Sequence, residues 1–340
     1  MRRGTEFAKT CSVVLAVLCL ASCGGKSGKL VPIGEGLRGP SGMKATLYAS
    51  GLPLMSAFAL DSRGRLWVTT SGATTHGTDG VFVVPGPGER ALRVVSGVRG
   101  PLGLVWVGSR LIVSSLGKVT SFGDLQGTRF HARTTIVDGP VANGENNNVI
   151  LAPDGRLVMG VSSSCDHCVP VSKWSASIVT FRPDGSDLQL FASRIRAAYG
   201  LAYYPGTSDL FASMNQRDDL GSATPGDWLA LVRRGQDWGF PDCYGQQTAT
   251  CKLHPAPVAV LDPHAAAGGV AILDGAAVVS EWQLGKVQRV ALTKKGGGYT
   301  GKAAPFLTGL ENPLPLLTTS DGAMLVGDWG TGKIYRIAQA

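Results

Sequence analysis

One pattern returns six times along this chain: an apolar run, a tight turn carrying glycine, and a second apolar run. The copies are LDSRGRLWVTT (60–70), LVWVGSRLIVSS (104–115), LAPDGRLVMGV (151–161), LAYYPGTSDLFASM (201–214), VAILDGAAVVSEW (270–282) and LTTSDGAMLVGDW (317–329). Each reads as a β-hairpin, because the glycine accepts the left-handed conformation that closes the turn and a neighbouring Asp or Ser bonds its own backbone. The turn glycines Gly64, Gly108, Gly155, Gly206, Gly275 and Gly322 are 44, 47, 51, 69 and 47 residues apart. A repeat of that length is a four-stranded propeller blade. Third strands are expected at Gly80–Val84, Ser177–Phe181, 286–292 and 333–337. The reading is therefore an all-β chain whose residues 43–340 form a six-bladed β-propeller. The last copy ends soon after its third strand, and a strand-like run at 44–50 precedes the first copy. An N-terminal strand is thus expected to complete the last blade and close the ring, which removes exposed edges.

Composition agrees with that reading. The chain has 340 residues with 47 Gly, 19 Pro and only 16% charged side chains, a profile rich in turns and poor in the charged faces of surface helices. Arg2, Arg3 and Lys9 precede an apolar run at 12–20 and then Leu20-Ala21-Ser22-Cys23. The run is shorter than the ~20 residues that span a bilayer. Residues 1–22 read as a lipoprotein signal peptide with lipidation at Cys23. The body is then expected on the outer face of the membrane, in the cell envelope, held by the lipid anchor only; the export route stays open. Residues 24–42, rich in Gly, Ser and Pro, are expected as a flexible tether. The formal charge of +8 is scattered, with short pairs at Arg233-Arg234 and Lys294-Lys295, so nucleic acid is not expected as a partner.

Beyond the leader, four cysteines remain: Cys165, Cys168, Cys243 and Cys251. Exported chains oxidise such thiols, and the even count points to two short-range disulfides. A metal site from Cys165, His167 and Cys168 is the alternative. The step of 69 is longer than the others by roughly twenty residues, with the surplus between Asn215 and Cys251; a loop of that length is a functional candidate.

No Gly-x-Ser-x-Gly, phosphate-binding Gly-Lys-Thr loop or His-Glu-x-x-His occurs, which argues against common hydrolases and nucleotidases. Asn215-Gln216-Arg217-Asp218-Asp219 offers carboxylates and an amide oxygen suited to a hard cation. Arg196 and Arg217 suit a carboxylate ligand. Further candidates at loop ends are Asn146, Asn147, Asn148, Arg194, Tyr199, Glu281, Lys286 and Asp328, with His264 just ahead of an inner strand and His76 in a Gly/Thr loop.

The segments LYASGLP, LAPDGRLVMGVSSSCDHC, YGLAYYPGT, NQRDDLG, DWGFPDCYG, LDPHAAAGG and VGDWGTGKIYRI, in this order, resemble the glucose/sorbosone dehydrogenase family of soluble quinoprotein propellers, in its sorbosone-dehydrogenase-like branch. The likeness covers about residues 43–338. It implies pyrroloquinoline quinone (PQQ) and calcium, a sugar or aldose oxidised by hydride transfer, and an electron acceptor in the envelope. Carried over by position, Arg196 corresponds to the arginine beside cofactor and substrate, and Asn215, Arg217 and Lys286 to cofactor contacts. Asp218 and Asp219 fall in the segment near calcium. The departures are as informative. Gly144 stands where the family has its catalytic His, leaving Glu145 as the candidate base one residue away. Arg196-Ala197-Ala198 and Asp227-Trp228-Leu229-Ala230 replace more polar family segments. Two readings follow: a PQQ- and calcium-dependent sugar dehydrogenase, or a non-catalytic propeller binding a glycan, small molecule or envelope protein. A third, a lactonase-like propeller, would need a calcium site from Glu145, Asn146, Asn215, Asp218 and Asp328.

Overall fold

The computed structural model describes residues 29–72, 77–139, 144–245 and 249–340; the leader 1–22, Cys23 and His76 lie outside the described residues. Each repeat builds one antiparallel sheet, ordered from the channel outward. Blade 1 is Met55–Leu60, Leu66–Thr70, Gly80–Val84 and Leu92–Val95; blade 2 is Gly103–Val107, Arg110–Ser115, Lys118–Gln126 and Arg129–Asp138. Blade 3 is Asn146–Leu151, Leu157–Val161, Ser177–Phe181 and Gln189–Ser193; blade 4 is Ala197–Tyr203, Leu210–Asn215, Gly226–Val232 and Ala259–Pro263. Blade 5 is Ala267–Leu273, Ala276–Glu281, Lys286–Lys295 and Gly298–Thr308. Blade 6 is Pro313–Thr318, Met324–Asp328 and Lys333–Gln339, completed by the N-terminal strand Met43–Ala49, whose Met43 pairs with Gln339 and Ala49 with Ile334. The innermost strands touch in sequence around the ring, blade 6 meeting blade 1. All six turn glycines have positive φ, from 57° at Gly108 to 81° at Gly155, as the hairpin reading required.

The second strand of a blade is covered by a neighbouring blade on each face, so it cannot alternate in polarity. Leu66–Thr70, Leu157–Val161 and Met324–Asp328 are buried at every position, which is why they read as continuous apolar runs. Near the end of this strand every blade carries a small residue: Thr69, Ser114, Gly160, Ser213, Ser280 or Gly327. All three serines seal the joint to the next blade by donating to its inner strand, Ser114 Oγ to Asn147 O at 2.6 Å, Ser213 Oγ to Gly268 O at 2.6 Å and Ser280 Oγ to Leu314 O at 2.8 Å. At Gly160 there is no room for a side chain, since a Cβ would stand 2.0 Å from Ala198 O.

Two expectations need correction. The stretch proposed as tether is folded from residue 31 onward: Val31–Gly34 and Leu37–Gly39 form a hairpin, and Arg38 pairs with Thr308 at the rim of blade 5. Ile33 and Leu37 are buried with Phe306 and Leu307, an apolar alternation that the surrounding glycines obscure. The long insertion is also shorter than it looked, because Gly226–Val232 inside it is the third strand of blade 4. Only 233–258 is surplus. It is stapled by the Cys243–Cys251 disulfide and anchored by buried Trp238.

Candidate functional site

In five blades the register between the innermost and second strands slips at one end, at Met55/Ala57, Asn146/Val149, Ala198/Leu201, Ala267/Val270 and Pro313/Leu316. Such bulges re-aim side chains. Here the bulged residues Ser56, Tyr199, Gly268 and Leu314 line one mouth of the central channel, a cavity of about 260 Å³ to which all six repeats contribute. Trp282 and Trp329, each directly following a second strand, form one wall with ring centroids 5.4 Å apart in an edge-to-face pair. Leu102, Leu116 and Leu314 add apolar surface, and Glu145 and Asn215 stand at the side shared with an adjoining cleft.

The wall uses its own donors. Tyr199 donates its hydroxyl to Ser56 O at 3.2 Å, Ser56 Oγ donates to Pro101 O at 2.6 Å, and Trp329 Nε1 donates to Ser71 O at 3.3 Å. Burial, and next the nearby Glu145 carboxylate, hold the Tyr199 phenol far above its ordinary range, so it stays a neutral hydroxyl. Asn215 Oδ1 is buried without a donor. Among the described residues lining the cavity, Glu145 is the one formally charged side chain.

The adjoining cleft, about 710 Å³, is lined by Gly144, Glu145, Ser162, Ser163, Ser164, Arg196, Asn215 and Asp218. Its organising group is Asp166, held in the loop closed by the Cys165–Cys168 disulfide. The Asp166 carboxylate takes the Arg196 guanidinium, and its backbone O accepts Arg196 Nε at 2.9 Å. The same carboxylate accepts the backbone N–H of Asp218 at 3.0 Å and of Asp219 at 3.0 Å. Asp218 Oδ1 in turn lies 3.2 Å from His264 Nδ1.

The sequence candidates therefore divide. Glu145 and Asn215 reach the channel mouth, while Arg196 and Asp218 reach only the cleft. Arg217 grips Asp219 through two bonds of 2.7 Å and lies 4.4 Å from the centroid of Tyr244. That guanidinium holds the Asp219 carboxyl well below the usual carboxylate range. Lys286 is tied to Asp262 and lies 3.3 Å from buried Glu281. Neither Arg217, Asp219 nor Lys286 lines the mouth or the cleft. Asn146 and Asn147 turn into the joints of blade 3, where their amides donate to Ser115 O and Ala198 O at 2.9 Å; Asn148 lines the opposite end of the channel. Asp328 accepts the backbone N–H groups of Glu311 and Asn312, and Arg194 braces the insertion through Phe240 O and Gly239 O. Asp166 and the two tryptophans were missed as site residues, although Trp follows the second strand in both of the last two repeats.

These residues do not fit the cofactors that the resemblance implies. PQQ is a polycarboxylate and wants free cations, yet Arg196, Arg217 and Lys286 each carry a carboxylate partner from the chain itself. For calcium, no group of three or more His, Cys, Asp or Glu is arranged to hold a metal ion among the described residues.

No family model and no curated protein sequence matches the chain. Solved structures do match. The PQQ-bound aldose sugar dehydrogenase of Streptomyces coelicolor is 19% identical with a TM-score of 0.71, over 88% of this chain and 99% of that one. The PQQ domain of the Coprinopsis cinerea pyranose dehydrogenase is 18% identical with a TM-score of 0.73, over 88% and 96%. A calcium structure of a Trichoderma reesei carbohydrate-active enzyme is 15% identical with a TM-score of 0.77, over 93% and 99%. The fold is that of the quinoprotein sugar dehydrogenases. The solved structures agree with the likeness carried by the sequence segments, and at these identities what they share with this chain is the fold.

Proposed function

We propose that the chain is a ligand-binding propeller that takes a hydroxyl-rich, sugar-like molecule at the channel mouth and works without the quinone. The observation that carries this reading is the charge of the site: Glu145 is the single formal charge among the described residues at the mouth, and Arg196, the cation of the cleft, is spent on Asp166. The alternative reading of the sequence, a propeller that has left dehydrogenase chemistry, is thereby favoured over a PQQ- and calcium-dependent sugar dehydrogenase. The walls suit a sugar. Trp282 and Trp329 offer surface to the C–H faces of a ring, while Glu145 offers an acceptor and Asn215 a polar edge to its hydroxyls. Mouth and cleft together lie in the size range of small-ligand sites, about 300–1,000 Å³. The lipobox at Cys23 supports placement of this receptor-like body in the cell envelope.

A thermal-shift titration of the chain with PQQ, with and without Ca²⁺, and in parallel with a panel of mono- and disaccharides tests this. Specific binding stabilises by mass action, about 2.7 kcal/mol at a hundredfold excess over Kd. A sugar-dependent rise with no response to PQQ is expected. A Ca²⁺-dependent rise with PQQ would overturn the proposal and restore the dehydrogenase reading.

A further inference from the structure

We infer that the ligand of the channel mouth carries a positive charge, and that its chemical class is an amine-bearing sugar held by Glu145 against the aromatic wall. This deepens the reading just proposed and rests on it for the sugar part.

Two independent features of the wall lead here. The first is its hydrogen-bonding sense. The donors of Tyr199, Ser56 and Trp329 are each consumed by backbone carbonyls within the wall. The charged acceptor left open at the mouth is the Glu145 carboxylate, while Asn215 Oδ1 is shut away from the cavity. A ligand that completes this surface brings donors, and an ammonium is the group with donors alone. The second feature is charge. Around the mouth and cleft stand Glu145, Asp218 and Asp166 against Arg196, so the local balance is negative in a chain whose formal charge is +8. Glu145 shares the mouth with the Tyr199 phenol and the Trp282 and Trp329 indoles, ring systems whose faces attract a cation. An anionic ligand would meet no free cation at the mouth among the described residues, and a neutral one would leave the carboxylate without a counter-charge once water is displaced.

The test is calorimetric titration of the full chain at pH 6 with D-glucosamine, D-glucose, N-acetylglucosamine and PQQ, repeated with Glu145→Gln. Glu145 is exposed, so this substitution is expected to leave the fold intact, which an unchanged melting curve checks. Glucosamine is expected to bind at least about tenfold more tightly than either neutral sugar. Glu145→Gln should erase that advantage, bringing glucosamine to within about threefold of glucose on the same variant. Equal affinity for all three sugars, or a glucosamine preference that survives Glu145→Gln, overturns this inference and leaves the sugar reading standing. Binding of PQQ alone, or of none of the four probes, overturns both.

Discussion

Glu281 offers a sharp test of the electrostatics at the joint between blades 4 and 5. It is fully buried at the end of a second strand. Its Oε1 accepts the backbone N–H of Asp262 at 3.2 Å, and Lys286 Nζ lies 3.3 Å from its Oε2. Burial, reinforced by the neighbouring Asp262 carboxylate, pushes its carboxyl up to about 7, against 4.5 for the free group. The folded chain therefore holds this proton more tightly than the unfolded chain does. The resulting stability is fully present below pH 4.5, falls as pH rises toward 7, and levels off above it. At about 1.36 kcal/mol per unit, the whole window is worth about 3 kcal/mol. Asp227, buried and raised to about 6, moves stability in the same direction, so the comparison must be wild type against Glu281→Gln. The unfolding free energy of wild type minus that of the variant, from urea melts at half-unit steps between pH 4 and 8, should fall by about 3 kcal/mol across the window, leaving the variant the more stable above it. The lowered Asp262 carboxyl and the raised Lys286 ammonium act outside it. A signed difference that stays flat from pH 4.5 to 7.5, or in which the wild type gains on the variant as pH rises, refutes the assignment.

Other joints make their own predictions. Gly160→Ala forces a Cβ onto Ala198 O of blade 4 and should destabilise by about 3 kcal/mol or more, seen as a lower melting temperature; an unchanged melt contradicts the packing. Asp227 accepts the backbone N–H groups of Gln216 at 2.7 Å and Ala267 at 2.9 Å. Because burial raises the Asp227 carboxyl to about 6, the unfolding free energy of wild type minus that of Asp227→Asn should fall by about 3 kcal/mol between pH 4 and 7.5 in denaturant melts; a constant difference would contradict the burial of that carboxylate. The double substitution Cys165→Ser and Cys168→Ser releases the loop that carries Asp166. Amide exchange at Asp218 and Asp219, whose N–H groups donate to Asp166, should then accelerate severalfold, and unchanged protection would show that the disulfide does not hold that contact.

The blade count and the hairpin turns were legible because they depend on local chemistry. Gly64 or Gly155 needs a left-handed turn wherever it sits, and a strand covered on both faces must be apolar along its length. The closing strand was legible for a topological reason, since the last repeat lacked an outer member and residues 44–50 were unassigned. Charge partners were not. Arg196 is 30 residues from Asp166 in sequence, and nothing local to either shows that a disulfide loop from blade 3 delivers a carboxylate onto the guanidinium. Lys286 likewise finds Asp262 across a joint between blades. A resemblance by position assigned both cations to a cofactor, whereas their partners are set by the packing of neighbouring repeats. The two tryptophans illustrate the converse: each looked like the end of a strand, and only the ring brings them face to edge.

The strand Met43–Ala49 has a consequence in time as well as in space. It pairs with Lys333–Gln339 across about 290 residues of intervening chain. Bringing such distant segments together costs about 5 kcal/mol of chain entropy, against roughly 1 kcal/mol for a short hairpin. The other five sheets each form their four-strand core from contiguous sequence, so they can assemble in the order of synthesis. The sixth must wait for the final residues, with an early strand held unpaired until then. The ring therefore has a defined last step. Until it occurs, the growing chain presents an open edge at each end, and this interval is when self-association competes most strongly with folding.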